Sequence, residues 1–102
     1  MFLSFTEMKF KDLDVLLHSQ LRLAVMSLLV SVESADFVYL KEQTGATSGN
    51  LSVQLDKLQA AGYIEIEKGY KGKKPCTTCR ITPLGVDAFS NYIDALKTYI
   101  NK

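Results

Sequence analysis

Apolar residues recur at spacings of three or four along most of this chain, a pattern that predicts a mainly helical protein. The clearest stripe occupies positions i, i+4 and i+7 and consists of Leu51, Leu55 and Leu58. Thr47 and Ser48 stand just before it, where hydroxyl groups can accept the free N–H groups of a first helical turn. Gly62 follows the stripe and stops it. Together these signals predict a helix over residues 47–61.

Two helical segments open the chain. Residues 8–17 carry apolar side chains at helical spacing, namely Phe10, Leu13, Leu16 and Leu17. A break or a cap follows at Ser19 and Gln20. Residues 21–34 then carry a broader apolar face, which predicts a second, amphipathic helix.

A short strand and a short helix lead up to the central helix. Residues 35–37 suit a strand that ends in a helix cap, because the Asp36 carboxylate can accept the N–H groups of a following turn. The helix is predicted over residues 37–43, with three side chains facing inward: Phe37, Val38 and Leu40. Gly45 can then adopt a positive φ in the turn between the two helices.

Beyond the central helix, apolar residues recur at every second position instead of every third or fourth. Residues 63–67 alternate apolar and charged side chains, which predicts a half-buried strand. Residues 68–75 contain two glycines and a proline, and a long hairpin tip is predicted there before a return strand over residues 76–81. Thr82 and Pro83 supply the cap and the first position of a last helix. The apolar stripe of that helix is Val86, Phe89, Ile93, Leu96 and Ile100.

Length and composition restrict the class of protein. The 102 residues suit one domain over residues 1–102, and a hydrophobic content of 47% is too high for a disordered chain. The formal net charge is only +1, so attraction to nucleic acid must come from a local cluster of charge. No apolar run reaches the length of a membrane-spanning helix, and the N-terminus lacks the pattern of a signal peptide. A cytoplasmic protein is therefore expected.

The order of elements and several short motifs resemble the small winged-helix transcriptional regulators related to the MarR and ArsR families. In those families an N-L-S-x-x-L-x-x-L helix precedes a G-Y-I sequence and a hairpin called the wing, and this chain has the same order from Asn50 to Ile64. The run from Arg80 to Gly85 is similar to the R-x-T-x-x-G that ends the family's wing. The resemblance covers residues 16–89. It implies a winged helix-turn-helix, mainly α with a small β-hairpin and flanked by N- and C-terminal helices.

The resemblance also implies that the central helix lies in the major groove of double-stranded DNA. Asn50 and Gln54 lie four apart on one face, and both amides can pair with adenine. Gly49 would let the backbone approach DNA closely, and Val53 can contact a thymine methyl group. The candidate DNA-contacting residues of this helix are Thr47, Ser48, Gly49, Asn50, Ser52, Val53, Gln54 and Lys57. The alternative is an ordinary solvated helix face, which also needs polar residues.

A basic hairpin follows this helix. From Lys68 to Arg80 the sequence contains no aspartate or glutamate. A flexible hairpin with cations at its tip suits contact with phosphates or with the minor groove. The candidate wing and backbone contacts are Lys68, Tyr70, Lys71, Lys73, Lys74 and Arg80, together with Arg22. Arg22 is included because residues 18–22 resemble the family's H-S-x-x-R, whose arginine approaches the DNA backbone. The alternative is a hairpin rich in lysine only for solubility and edge protection.

The two cysteines and the single histidine give little basis for catalysis or metal binding. Cys76 and Cys79 supply only two of four tetrahedral ligands. Positions three apart in a strand point to opposite faces, which opposes a disulfide between them, so one should pack inward and the other lie exposed. His18 has no Ser, Cys or carboxylate partner at a recognisable spacing. We therefore expect no enzyme activity, no metal and no cofactor, and the sequence indicates no pocket for a small-molecule effector.

The terminal segments carry more apolar surface than one small domain can cover. This predicts a homodimer whose interface contains Phe2, Phe5, Met8, Phe89, Tyr92, Ile93, Leu96 and Ile100. The sequence thus predicts a homodimeric transcriptional regulator that binds specific double-stranded DNA. Two alternatives stay open: a winged-helix module that binds protein instead of DNA, and a regulator that responds through the thiols of its two wing cysteines.

Overall fold

Four helices and three strands make up the described part of the chain. The computed structural model describes residues 10–100. Its elements are α1 Gln20–Val32, β1 Ser34–Asp36, α2 Phe37–Thr44, α3 Ser48–Ala60, β2 Ile64–Lys71, β3 Lys74–Ile81 and α4 Pro83–Ile100. This order confirms the predicted winged helix-turn-helix, in which α2 and α3 form the helix-turn-helix and β2 and β3 form the wing.

The three strands form an antiparallel sheet in the order β1, β3, β2. Cys79 of β3 lies opposite Ala35 of β1 on one side and opposite Ile66 of β2 on the other. Residues directly opposite one another share a face of a sheet, so these three side chains point toward the core. The short strand predicted over residues 35–37 is thereby confirmed to within one residue, and it joins the wing to the helices.

The core is built from the apolar stripes of the helices and the inner face of the sheet. Its buried members are Leu17, Val25, Met26, Leu29, Leu40, Leu51, Leu55, Leu58, Ile64, Cys79 and Tyr92. The leucine stripe of α3 predicted from its spacing is buried in full. The opposite face of α3 is therefore left to solvent.

Local capping sets the helix boundaries as the sequence predicted. Asp36 and Thr47 accept backbone N–H groups in the first turns of α2 and α3. Thr82 does the same for α4, where its Oγ1 accepts an N–H at 2.9 Å. Gly45 ends α2 with a φ of 71°, a left-handed conformation that glycine adopts without strain. These caps account for the agreement between predicted and observed boundaries.

The helix predicted over residues 8–17 is wrong in its described part. Residues 10–19 contain no helix and run irregularly along α4. The Lys11 N–H donates to Thr98 Oγ1 at 3.1 Å, and the Lys11 carbonyl accepts from Tyr99 Oη at 2.9 Å. The backbone of this segment is thus satisfied by α4 instead of by its own helical hydrogen bonds.

Asp14 gives the physical reason for this difference. Its Oδ1 accepts the Leu16 N–H at 2.9 Å, and its Oδ2 accepts the Tyr63 hydroxyl at 2.6 Å. An aspartate that binds the backbone two residues further on favours a turn over a helix. Leu17 is nevertheless buried, and Leu13 packs against the core. In this segment the spacing of apolar residues indicates which side chains are buried, although the segment is not helical.

One side chain of α2 faces the opposite way from the prediction. Val38 is 61% exposed, whereas Leu40 is buried and Phe37 packs against the core. At about 100° per residue, positions 37 and 40 share a side of the helix and position 38 does not. The apolar face of α2 is therefore narrower than predicted.

Candidate nucleic-acid interface

α3 presents a mixed polar surface opposite its buried leucines. The Thr47 hydroxyl accepts the Asn50 N–H at 3.2 Å and fixes the first turn. Three exposed or partly exposed residues, Asn50, Val53 and Lys57, follow at i, i+3 and i+7 and so share one side of the helix. Val53 is 51% exposed. This side, which we call the reading face, offers an amide, an apolar tip and an ammonium group to a partner.

The other candidates on α3 lie outside the reading face: Ser48 and Ser52 share another side of the helix, and Gly49 and Gln54 flank the reading face. Ser48, Gly49 and Ser52 are exposed. A Cβ at Gly49 would meet no atom within 4 Å, so the protein itself does not cover the backbone there. Gln54 differs from them because it is half-buried beside the leucine stripe.

Arg22 connects α1 to α3 through side-chain hydrogen bonds. Its Nη1 donates to Gln54 Oε1, and Gln54 Nε2 donates in turn to Asn50 Oδ1 at 3.0 Å. Arg22 Nε donates to the Leu16 carbonyl at 2.5 Å. The guanidinium expected near the DNA backbone is thus engaged by the protein's own groups. Sequence spacing reveals the Asn50–Gln54 contact, but nothing in the sequence pairs either with α1.

The wing is longer than predicted and its tip is shorter. β2 runs to Lys71 and β3 resumes at Lys74, with these two residues paired, so the tip is Gly72 and Lys73 instead of residues 68–75. Gly72 has a φ of 67°. A positive φ at the first position is what a tight two-residue hairpin turn requires. Regular pairing therefore continues almost to the end of the wing.

Lysines occupy both faces of this ribbon. Lys68 and Tyr70 share one face by strand alternation, and Lys71 shares the other with its cross-strand partner Lys74. All are exposed, Tyr70 at 76%. We call Lys71, Lys73 and Lys74 the tip lysines. They form the cationic end of the wing, and the acidic residues of the hairpin lie nearer its base.

Arg80 lies at the opposite end of the wing from the tip lysines. It is exposed, and it pairs across the sheet with Glu65 on one side and Ser34 on the other. Opposite charges that face each other across a sheet attract. Residues 68–80 contain no acidic residue, but the pairing of Arg80 with Glu65 places a carboxylate beside the end of this segment.

The cysteines point to opposite faces of β3, as predicted. Cys79 is buried, and burial together with the negative charge of Asp36 raises the pKa of its thiol to about 11. Cys76 is half-buried on the outer face, and both thiols are free. The thiolate is the reactive form of cysteine, so Cys79 is unreactive near neutral pH.

Two tyrosines fasten residues 10–19 to the rest of the fold. The hydrogen bond to Asp14, burial and the carboxylate charge raise the pKa of Tyr63 to about 12. The Tyr92 hydroxyl lies 2.9 Å from His18 Nδ1. Tyr92 is only 4% exposed, so it belongs to the core of the protomer. Its predicted place in a dimer interface is corrected on that ground.

The other predicted interface residues divide into two groups. Three lie outside the described residues: Phe2, Phe5 and Met8. On α4, Phe89, Ile93 and Leu96 are partly buried against the core, and Ile100 is 70% exposed. The exposed members of the stripe are thus its first and last residues, Val86 at 43% and Ile100 at 70%.

Residues 10–100 offer neither a membrane span nor a cluster of metal ligands. No helix in this part of the chain has the length and apolar character needed to cross a membrane. The same residues bring together no group of three or more His, Cys, Asp or Glu side chains that could hold a metal ion.

A helix-turn-helix followed by a basic hairpin, with an exposed polar face on its second helix, defines the winged-helix class. Residues 21–100 match the family described as the winged helix DNA-binding domain, and the chain belongs to that family.

Known proteins agree with this assignment. An uncharacterized protein of Methanocaldococcus jannaschii is 38% identical over 76 residues, which are 74% of this chain and 83% of the relative. The solved structure of a transcriptional regulator homologue from Pyrococcus horikoshii is 26% identical with a TM-score of 0.79, covering 84% of this chain and 85% of that one. A MarR family transcriptional regulator from Silicibacter pomeroyi is 18% identical with a TM-score of 0.66, covering 84% and 57%. At that identity the likeness concerns the fold.

Proposed function

We propose that this chain is a homodimeric transcriptional regulator that binds specific sequences of double-stranded DNA. α3 enters the major groove, and the wing contacts the flanking backbone. The observation that carries the proposal is the exposed polar face of α3, on which Asp56 is the one acidic residue, on the same molecule as the cationic tip of the wing. An α-helix fits the major groove, and ammonium groups on a projecting hairpin fit the phosphates beside it.

The residues of α3 and the wing take different roles in this complex. Asn50 and Val53 contact base edges, because an amide reads hydrogen-bonding groups and an apolar tip reads the thymine methyl group. Ser48, Ser52 and Lys57 contact phosphates, and Gly49 lets the helix approach the duplex. Lys68, Tyr70 and the tip lysines contact the flanking backbone or the minor groove, where charge and shape matter more than sequence.

Retention on duplex DNA at increasing salt tests the binding, and sequencing of duplexes selected from a random pool tests the specificity. The expected result is retention at low salt and enrichment of one sequence. Changing the tip lysines to alanine should weaken retention on specific and random duplexes alike. The matched control removes the same charge elsewhere by changing Lys11, Lys41 and Lys97 to alanine. Failure of the unmodified protein to bind any duplex at low salt would contradict the proposal.

The homodimer rests on the exposed end of the α4 stripe. Ile100 is 70% exposed while Phe89, Ile93 and Leu96 are only partly covered, and a second copy would bury this stripe. Two recognition helices would then lie about 34 Å apart, one turn of DNA, and the enriched sequence should be a near-palindrome.

Sedimentation at micromolar concentration tests this assembly. The unmodified protein should sediment as a dimer, and Ile100→Glu should shift it toward monomer. Asn91→Glu is the control, because it adds the same charge at an exposed position on the side of α4 away from the stripe, and it should leave the dimer intact. A monomeric unmodified protein would remove the dimer from the proposal.

A protein-binding module is the second candidate function. Val53 on α3 and Tyr70 on the wing are exposed large hydrophobic side chains, and such side chains favour contact with protein. The retention experiment separates the two candidates. Thiol regulation is less favoured, because the buried Cys79 has a raised pKa and faces away from Cys76.

A further inference from the structure

We infer that Arg22 is a positioning residue that sets which polar edge of Asn50 faces the DNA. The inference deepens the proposed function and rests on it. The observation behind it is the run of hydrogen bonds from Arg22 to Gln54 and from Gln54 to Asn50.

The direction of each hydrogen bond follows from the first. A guanidinium only donates, so Gln54 must turn Oε1 toward Arg22. The Gln54 amide nitrogen then faces Asn50 and donates to Oδ1 at 3.0 Å. Asn50 in turn points its oxygen back along the helix. Its Nδ2 has no hydrogen-bond partner among residues 10–100 and is left for an outside acceptor.

Two nitrogens of the Arg22 guanidinium donate hydrogen bonds within the protein. Nε donates to the Leu16 carbonyl at 2.5 Å while Nη1 donates to Gln54, and the side chain is half-buried. Hydrogen bonds from a charged donor are roughly twice as strong as neutral ones, and partial burial preserves that strength. Arg22 therefore stays with these partners and does not extend to a phosphate.

This geometry separates the roles of two residues that sequence spacing treats alike. Both polar atoms of Gln54 are engaged, so bidentate pairing with adenine would require release from Arg22. Gln54 is the link, and Asn50 is the reader. Because Asn50 presents Nδ2, its base should carry a major-groove acceptor, such as guanine O6 or N7 or thymine O4.

Gln54→Glu directly tests the direction of the hydrogen bond between Gln54 and Asn50. A carboxylate keeps an acceptor for Arg22 but has no N–H for Asn50, so Asn50 must turn Nδ2 inward and Oδ1 outward. In duplexes selected from a random pool, the preferred base at one position should change toward a donor edge, cytosine N4 or adenine N6. The change in preference there should be about fivefold or more, the lower end for a good base contact. Gln59→Glu is the control, because it adds the same charge to an exposed position on another side of α3. An unchanged base preference in Gln54→Glu would overturn the inference.

Arg22→Ala and Arg22→Lys test positioning against phosphate contact. Both should relax discrimination at the same base position while leaving the slope of log affinity against log salt unchanged. Lysine keeps the charge but lacks the planar fork that holds two acceptors. If Arg22 instead contacts a phosphate, Arg22→Ala should flatten the slope by about 0.9 with the base preference intact. That result would overturn the inference while leaving the proposed function in place.

Nitrogen-15 spectra of the free protein provide a measurement that does not depend on DNA. The side-chain amide resonances of Gln54 and Asn50 should shift in Arg22→Lys, while the backbone spectrum stays that of a folded protein. Coincident side-chain resonances in the two proteins would show that Arg22 does not orient the amides. If the unmodified protein binds no duplex at all, the proposed function fails and the inference fails with it.

Discussion

Replacing Gly85 with alanine should destabilise this protein even though Gly85 lies inside a helix. The residue is in the first turn of α4, where the helix meets the chain just before β2. A Cβ at this position would overlap the Tyr63 carbonyl oxygen and lie 3.0 Å from Ile81 Cγ1. The same carbonyl accepts the Thr82 N–H at 3.1 Å. An added methyl group must therefore push α4 away from the base of the wing.

Three terms set the size of the effect. Overpacking a closely packed site costs about 1–3 kcal/mol, and the obstacle here is backbone, which cannot move aside as a side chain can. Weakening the Thr82–Tyr63 hydrogen bond costs about 0.5–1.5 kcal/mol more. Alanine is favoured over glycine in a helix by about 1 kcal/mol, which offsets part of this. The net loss should be about 1–3 kcal/mol, and each kcal/mol lowers Tm by about 4–8 °C in a domain of this size.

Thermal and urea unfolding of the purified variants measure this loss. Gly49→Ala is the matched control, because it makes the same substitution in α3 where a Cβ meets no atom within 4 Å. It should leave stability unchanged or raise it by up to about 1 kcal/mol. If Gly85→Ala unfolds at the midpoint of the unmodified protein while the control behaves as expected, the contact with Tyr63 is not a rigid constraint and the reasoning is refuted.

Three further predictions concern the wing, the tyrosine and the thiols. Changing the three tip lysines to alanine should flatten the slope of log affinity against log salt by up to about 2–3 per protomer, because each phosphate contact contributes about 0.9 to the slope. An unchanged slope would mean that the wing is only a solvated hairpin. The pKa of Tyr63 is raised from 10.0 to about 12, so its contribution to stability is complete below pH 10 and is lost as the pH rises toward 12. Tyr63→Phe should remove that part of the decline in unfolding free energy, and an equal decline in both proteins would contradict the Asp14 contact. Cys76→Ser should leave stability unchanged, whereas Cys79→Ser should cost about 1–3 kcal/mol, because a buried hydroxyl replaces the thiol; equal stability of the two variants would contradict the burial of Cys79.

Local signals account for most of what the sequence predicts correctly. A cap such as Asp36 or Thr47 acts on N–H groups within three residues, and a turn such as Gly45 requires its conformation whatever surrounds it. The stripe of α3 needs only one partner surface to become buried. The residues that determine such features lie in the same segment as the features themselves. The spacing of residues in α3 is therefore enough to predict which of its faces is buried.

Features that depend on distant partners cannot be predicted in this way. The lysines of the wing are visible in the sequence, but the two-residue tip depends on strand pairing that continues to Lys71 and Lys74. The engagement of Arg22 depends on how α1 packs on α3. Tyr92 carries the spacing of an interface residue, and only the packed core shows that the protomer already buries it.

Residues 10–19, where a helix is predicted but absent, illustrate why reach matters as much as apolar spacing. Lys11 contacts α4, Asp14 contacts the residue before β2, and Leu16 contacts Arg22 of α1. In a helix, the five steps from Lys11 to Leu16 would span only about 7.5 Å, at about 1.5 Å per residue. An extended chain spans up to about 17 Å over the same steps. Three different parts of the fold are met within these few residues, and the irregular path gives the segment a longer reach between them than a helix would have. The aspartate that breaks the helix is also the one that binds Tyr63, so the departure from helical structure and its tertiary contact have the same cause.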